Sequence, residues 1–117
     1  MNMEEVRFYC LAKPYVTEEF PFDESTLVFK VAGKMFMAAG LDDPEPRINL
    51  KCDPEEAVQL RESYHGVIPG WHMNKKHWNP VYLFRDVNAD LIKELIDHSY
   101  TLVVHGMSKK KRASLGL

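Results

Sequence analysis

Six residues, Arg47 to Cys52 (RINLKC), constrain the fold more than any other stretch of the chain. Ile48, Leu50 and Cys52 alternate with Arg47, Asn49 and Lys51, which gives the segment one apolar and one polar edge at the two-residue period of a strand. Such a strand belongs to a sheet with one buried and one solvated face, and that favours antiparallel pairing. Asp53-Pro54-Glu55-Glu56 follows at once and reads as a helix start. The aspartate caps, the proline takes the first helical position where its missing N–H costs nothing, and Glu56 can close a capping box. The helix is expected to run to about Tyr64 and to bury Ala57, Leu60 and Tyr64.

The rest of the chain extends this pattern. Met3 to Lys13 is read as a helix, with Met3, Val6 and Cys10 at helical spacing and Glu4 and Glu5 in the first turn, ended by Pro14. Tyr15 to Ser25 is expected to be an acidic surface connection with Phe20 and Phe22 tucked inward. Leu27 to Ala32 and Lys34 to Ala39 read as strands joined at Gly33, with a loop from Gly40 to Pro46. Val67 to Asn74 and Trp78 to Phe84 are expected to form a second hairpin with its tip at Asn74 to His77. Pro80 suggests an edge position or a bulge in its return strand. Leu91, Ile92, Leu95, Ile96, Ser99, Leu102 and Val103 form a broad helical stripe, with Asp86, Asn88 or Asp90 as candidate caps. Gly106 ends that helix, Ser108 to Arg112 is a basic tail, and Ala113 to Leu117 is expected to fray. The predicted order is α-β-β-β-α-β-β-α.

The 117 residues, 45% of them hydrophobic and 27% charged, fit one domain spanning residues 1–117 with a basic tail at 108–117. No apolar run approaches the length needed to span a bilayer, and no charged-then-apolar leader opens the sequence, so the expected location is the cytoplasm. Cys10 and Cys52 form no C-x-x-C pair and are expected to be reduced, buried thiols. The formal net charge of −2 provides no global field for a polyanion, so nucleic-acid binding would require a local patch.

The segment from Gly70 to Tyr82 (GWHMNKKHWNPVY) is where such a patch could lie. Lys75, Lys76, His77 and Trp78 would approach a phosphate backbone from a hairpin tip, with Trp71 or Trp78 as a stacking face. Lys30, Lys34, Arg47 and Lys51 would extend the patch if their faces coincide, and Lys109, Lys110, Lys111 and Arg112 would add to it from the tail. The plain alternative is that Trp71 and Trp78 pair across strands while the lysines keep the tip soluble.

The order of motifs resembles the MmcQ/YjbR family of small bacterial proteins. The residues carrying the likeness are the Val6-Arg7 helix, Thr17-Glu18-Glu19-Phe20-Pro21-Phe22, Leu27 to Val31, Gly33 to Phe36, Asn49 to Cys52, Pro69 to Asn79, and Asp97-His98-Ser99-Tyr100. The resemblance implies an α+β, frataxin-type (CyaY-like) two-layer sandwich, an antiparallel sheet with helices packed on one face. It also implies DNA binding through a double-wing arrangement of hairpins. The sequence departs from the family pattern twice. Tyr15 stands where many members have glycine, and the last long helix is followed by an unusually lysine-rich tail.

Other chemistry has thinner support. His65, His72, His77, His98 and His105 show no H-x-x-x-H or H-E-x-x-H spacing, so no metal or cofactor is expected. The frataxin likeness invites iron, but the acidic residues Glu4, Glu5, Glu18, Glu19, Asp23 and Glu24 are split between a helix and a loop. There is no nucleophile elbow and no phosphate-cradling glycine loop. Ser99 is expected to bond back to its own helix. The sequence thus predicts a non-enzymatic binding module, with DNA as leading partner. A small molecule or a protein, held in a cleft formed by Trp71, His72, Tyr82 and Tyr100, is the alternative.

Overall fold

The computed structural model describes residues 1–70 and 77–117. Its elements are α1 (Met3–Leu11), β1 (Val16–Glu19), β2 (Thr26–Val31), β3 (Lys34–Gly40), β4 (Arg47–Lys51), α2 (Pro54–Ser63), β5 (Trp78–Tyr82), α3 (Ala89–His105) and α4 (Lys109–Leu115). The five strands lie in one sheet in the order β1-β2-β3-β4-β5, and every neighbouring pair is antiparallel. The protein is therefore α+β, as the alternation in β4 predicts.

Local signals account for most of the helix ends. Asn2 caps α1 in a reciprocal capping box with Glu5, and Asn88 caps α3 through the backbone N–H of Leu91. Asp53 caps α2 through the N–H groups of Glu55 and Glu56. The carboxylate of Glu56 lies instead against His98, 3.0 Å from Nε2. Helices α1 and α3 cover one face of the sheet. Val6 and Cys10 from α1 and Ile92, Ile96 and Val103 from α3 share a core with Leu27, Phe29, Val31, Met37, Ile48, Leu50 and Val81. Both cysteines are free and buried.

Several expectations need correction. Val16 to Glu19 is a strand, paired with Val31 to Val28 along the edge of the sheet. Phe20 and Phe22 do not tuck inward, and Phe22 is 73% exposed. The tail is not frayed: Ser108 caps α4, Tyr15 Oη donates to the Leu115 carbonyl at 2.7 Å, and Lys111 Nζ donates to the Ala32 carbonyl at 3.0 Å. Tyr15 and the lysine-rich tail thus touch one another. Tyr15 also has φ 62°, the left-handed conformation that glycine adopts without penalty.

The second hairpin is only partly within the described residues. Val67 bridges Val81, and Ile68 N donates to the Pro80 carbonyl, while Trp71 to Lys76 lie outside them. Its return strand is shorter than expected, stopping at Tyr82. Pro80 does sit on a strand at the end of the sheet order, where its missing N–H is tolerated. Among the described residues the order is α-β-β-β-β-α-β-α-α. It gains β1 and α4 over the predicted series, and of the strand expected from Val67 to Asn74 the described residues show only the Val67 bridge.

Candidate functional site

Polar residues gather where β4 runs out against α3. The register between β2 and β3 pairs Phe29 with Met37 and then Lys30 with Met35, so Phe36 is the extra residue of a bulge and has no partner on β2. The pairing of β3 with β4 likewise covers only Met37–Leu50 and Ala38–Asn49. Ser99 fills the gap. Its hydroxyl donates to the Phe36 carbonyl at 2.5 Å and accepts from Lys51 N at 2.9 Å. This corrects the expectation of a serine bonded to its own helix: a hydroxyl can be donor and acceptor at once, and the bulged sheet offers one of each.

On one side of this junction lies a groove of about 230 Å³ lined by Lys34, Met35, Lys51, Val103, Gly106 and Met107. Helix α4 is docked beside it, because Lys111 reaches the carbonyl of Ala32, two residues before Lys34. Lys109 and Lys110 are exposed on that helix. Among the described residues, Lys34, Lys51, Lys109 and Lys110 make no ion pair.

Not every basic residue named from the sequence joins this surface. Lys30 pairs with Glu19 at 3.5 Å, and Arg47 with Asp43 at 3.1 Å. Lys111 is committed to the β2–β3 turn, and Arg112 buries its Nε. His77 accepts Cys52 N at its carbonyl, 2.7 Å away, and Trp78 pairs with Lys51 at the start of β5. Lys75 and Lys76 lie outside the described residues, as do Trp71 and His72.

The expected ligand cleft does not assemble from its two described members. Tyr82 alternates with buried Val81 on β5 and so faces away from the helices, where Arg85 stacks on its ring at 3.6 Å. Tyr100 lies on the helix side, edge-on to Phe36 at 5.5 Å between centroids, and donates to the Pro14 carbonyl. The sheet separates them.

A cleft of about 310 Å³ opens elsewhere, between α2 and α3, lined by Glu56, Gln59, Leu60, Ser63, Leu91, Glu94, Leu95 and His98. At one end the ligand-capable atoms of Cys52, Glu56 and His98 lie within 4.8 Å of one another. Burial, with Glu56 and Asp53 adding to it, pushes the Cys52 thiol up to about 11. Sequence spacing of histidines cannot reveal this cluster. The signal available was the four-residue step from Cys52 to Glu56 across a helix N-terminus, which brings the two side chains round to one side.

The YjbR family profile matches residues 11–102. The chain belongs to the YjbR family. Among its relatives, YbdF of Escherichia coli O157:H7 is 38% identical over 107 residues, covering 92% of this chain and 88% of that protein. YjbR of Escherichia coli K12 is 33% identical over 115 residues and covers 98% of each chain. The crystal structure of Deinococcus radiodurans protein DR2400 superposes with a TM-score of 0.92 at 40% identity, covering 99% of this chain and 88% of that one. The family match ends before α4, so the docked basic helix lies beyond the part of the chain that the YjbR profile describes.

Proposed function

We propose that this YjbR-family protein is a non-enzymatic nucleic-acid-binding module that grips the phosphate backbone with the lysine-lined groove at the end of its sheet. The observation that carries the reading is the meeting of Lys34 and Lys51 in one concavity, with α4 and its Lys109 and Lys110 docked alongside. Four lysines without ion-pair partners among the described residues bring counterion release to a phosphate backbone and little base readout. Binding is therefore expected to be strong in salt dependence and weak in sequence preference. The placement of α1 and α3 on one face of an antiparallel sheet supports the frataxin-type sandwich that the family resemblance implies. A cytoplasmic location suits such a partner. A small-molecule partner, the other expectation from the sequence, finds its support in the α2–α3 cleft rather than in the residues first named for it.

The test is fluorescence anisotropy of a short labelled duplex across a salt series. Affinity should fall linearly with salt on logarithmic axes, and Lys34→Ala with Lys51→Ala should reduce the slope by about 2. An absence of salt-dependent binding at low ionic strength would refute the reading. So would an unchanged slope in the double variant.

A further inference from the structure

The Cys52, Glu56 and His98 cluster contains a conflict. His98 Nε2 lies 3.3 Å from the donating backbone N–H of Asp53 and 3.0 Å from a carboxylate oxygen of Glu56. One ring nitrogen cannot accept from an N–H and donate to a carboxylate at the same time. A cation among these atoms would take the imidazole lone pair, the carboxylate and the sulfur as ligands, and the Asp53 N–H, displaced from Nε2, would keep the Cys52 sulfur as its acceptor.

Asn79 supplies a second, independent observation. It is 2% exposed, and its Oδ1 accepts from Arg61 Nε at 2.9 Å. Its Nδ2 has no hydrogen-bond partner among the described residues. Asn79 and Cys52 line one small void of about 10 Å³, together with Leu60 and Leu95, which also line the cleft. A buried N–H donor without an acceptor is costly. Cys52, which lines the same void, would offer it an acceptor as a metal-bound thiolate.

We propose that Cys52, Glu56 and His98 form a three-ligand site for a zinc-class divalent cation, with the fourth coordination position open to the α2–α3 cleft. The donor set decides the class of metal. Sulfur, imidazole nitrogen and one carboxylate oxygen suit zinc or cobalt, whereas calcium and magnesium require shells of oxygen. Zinc–ligand lengths of about 2.0 to 2.3 Å put ligand atoms of a tetrahedral site roughly 3.5 Å apart. The cluster, already within 4.8 Å, needs only small side-chain rotations. Glu56 is free to make them, since its side chain is 58% exposed. The backbone supplies rigidity on the other two sides: Cys52 N is bonded to the His77 carbonyl, and Ser99 ties α3 to the sheet one residue from His98. Gln59, Ser63 and Glu94 line the cleft and give the open position polar surroundings. Three protein ligands with an open fourth position is the arrangement of an exchangeable or reactive site, not of a closed structural one.

Cobalt reports the ligands directly. The chelator-stripped full chain is titrated with Co²⁺ and followed by absorption. The expected result is tetrahedral d–d bands with a thiolate-to-cobalt charge-transfer band, saturating at one equivalent. Cys52→Ser should abolish the charge-transfer band. Glu56→Gln and His98→Gln should each weaken binding about tenfold or more, while His105→Gln, outside the cluster, leaves it unchanged. Thermal melts without metal identify a variant that fails to fold, and Glu56→Gln, at a surface position, keeps the test decisive. Cobalt binding without the charge-transfer band, equal affinity in Glu56→Gln, or no binding would each overturn the proposal.

Discussion

Replacing Ser99 by alanine tests the idea that one hydroxyl closes a break in the sheet. The side chain is fully buried, and its Oγ satisfies two backbone groups on different strands, the carbonyl of Phe36 and the N–H of Lys51. β3 and β4 pair at Met37–Leu50 and Ala38–Asn49, and the hydroxyl bridges the next two residues in line, Phe36 and Lys51, in place of a direct bond between them. Each buried backbone group stranded by the substitution costs about 1–3 kcal/mol. Allowing for partial relaxation, the pair amounts to about 2–4 kcal/mol, a large share of the roughly 5–15 kcal/mol that stabilises a typical domain. At about 4 °C per kcal/mol for a chain of this length, the melting temperature should fall by about 8–16 °C. Urea unfolding followed by circular dichroism should show a lower midpoint with an unchanged slope, because the surface exposed on unfolding is the same. Thr101→Ala, exposed on the same helix, serves as the control and should stay within about 0.5 kcal/mol of the parent. A Ser99→Ala protein that melts within about 2 °C of the parent would refute the argument, since the two backbone groups would then have another source of satisfaction.

Two further perturbations follow from the backbone and the surface charges. Ala32 and Gly33 join β2 to β3 with φ of 48° and 86°, the pair of left-handed conformations of a type I′ hairpin turn, where Asn-Gly is preferred. Ala32→Asn should therefore stabilise the protein by about 0.5–1 kcal/mol in thermal or urea unfolding, and a loss of stability would contradict the turn assignment. Asp86 accepts from the backbone N–H groups of His65 and Gly66, each at 2.7 Å. Partial desolvation pushes its carboxyl upward, but these hydrogen bonds outweigh it and hold the group below its ordinary 3.8. A carboxyl lowered on folding stabilises the folded state above its unfolded value and loses that contribution as pH falls through the folded value. Stability should consequently decline on acidification below about pH 4, and Asp86→Asn should flatten this decline in a series of melts. An identical acid profile for the variant would remove Asp86 from the explanation.

The parts of this fold that could be read from sequence are those fixed by local chemistry. Asp53-Pro54 starts α2, Asn88 caps α3, and the alternation of Arg47 to Cys52 produces β4, because each signal acts over a few residues. β1 gave no such signal. Val16-Thr17-Glu18-Glu19 is short and acidic, and it is a strand because β2 offers it an edge. α4 was equally silent, since Lys109 to Arg112 carries no apolar stripe. Its order comes from Tyr15, Ala32 and the packing of Leu115 and Leu117 against the core. The candidate sites divide in the same way. That Lys34 and Lys51 were basic was evident, but that Lys30 would be neutralised by Glu19 across the β1–β2 pair was not. The cleft cluster joins the end of one strand to the middle of a helix far along the chain. No spacing rule covers a contact made only by tertiary packing.

The lysine groove and the Cys52 cluster share one structural support. Lys51 lines the groove and Cys52 the cluster, so consecutive residues of one strand end serve opposite sides of the junction. The helix that holds them does the same, with Ser99 bonded to Lys51 N and His98 against Asp53 N and Glu56. In regular antiparallel pairing the end of β4 would be fixed by its neighbour β3, and α3 would contribute only apolar contacts. Here the β3–β4 pairing ends at Met37–Leu50, and two adjacent polar side chains of α3, Ser99 on its buried face and half-exposed His98 beside it, hold the strand end instead. Polar groups on such a face are costly unless satisfied, and here the bulged sheet satisfies Ser99 completely. Hydrogen bonds with defined geometry therefore add to apolar packing in setting the position of α3 along the sheet. Both candidate sites depend on that registration, because a shift of α3 along its axis would carry His98 away from Cys52 and would move Val103, Gly106 and Met107 away from Lys34 and Lys51 together.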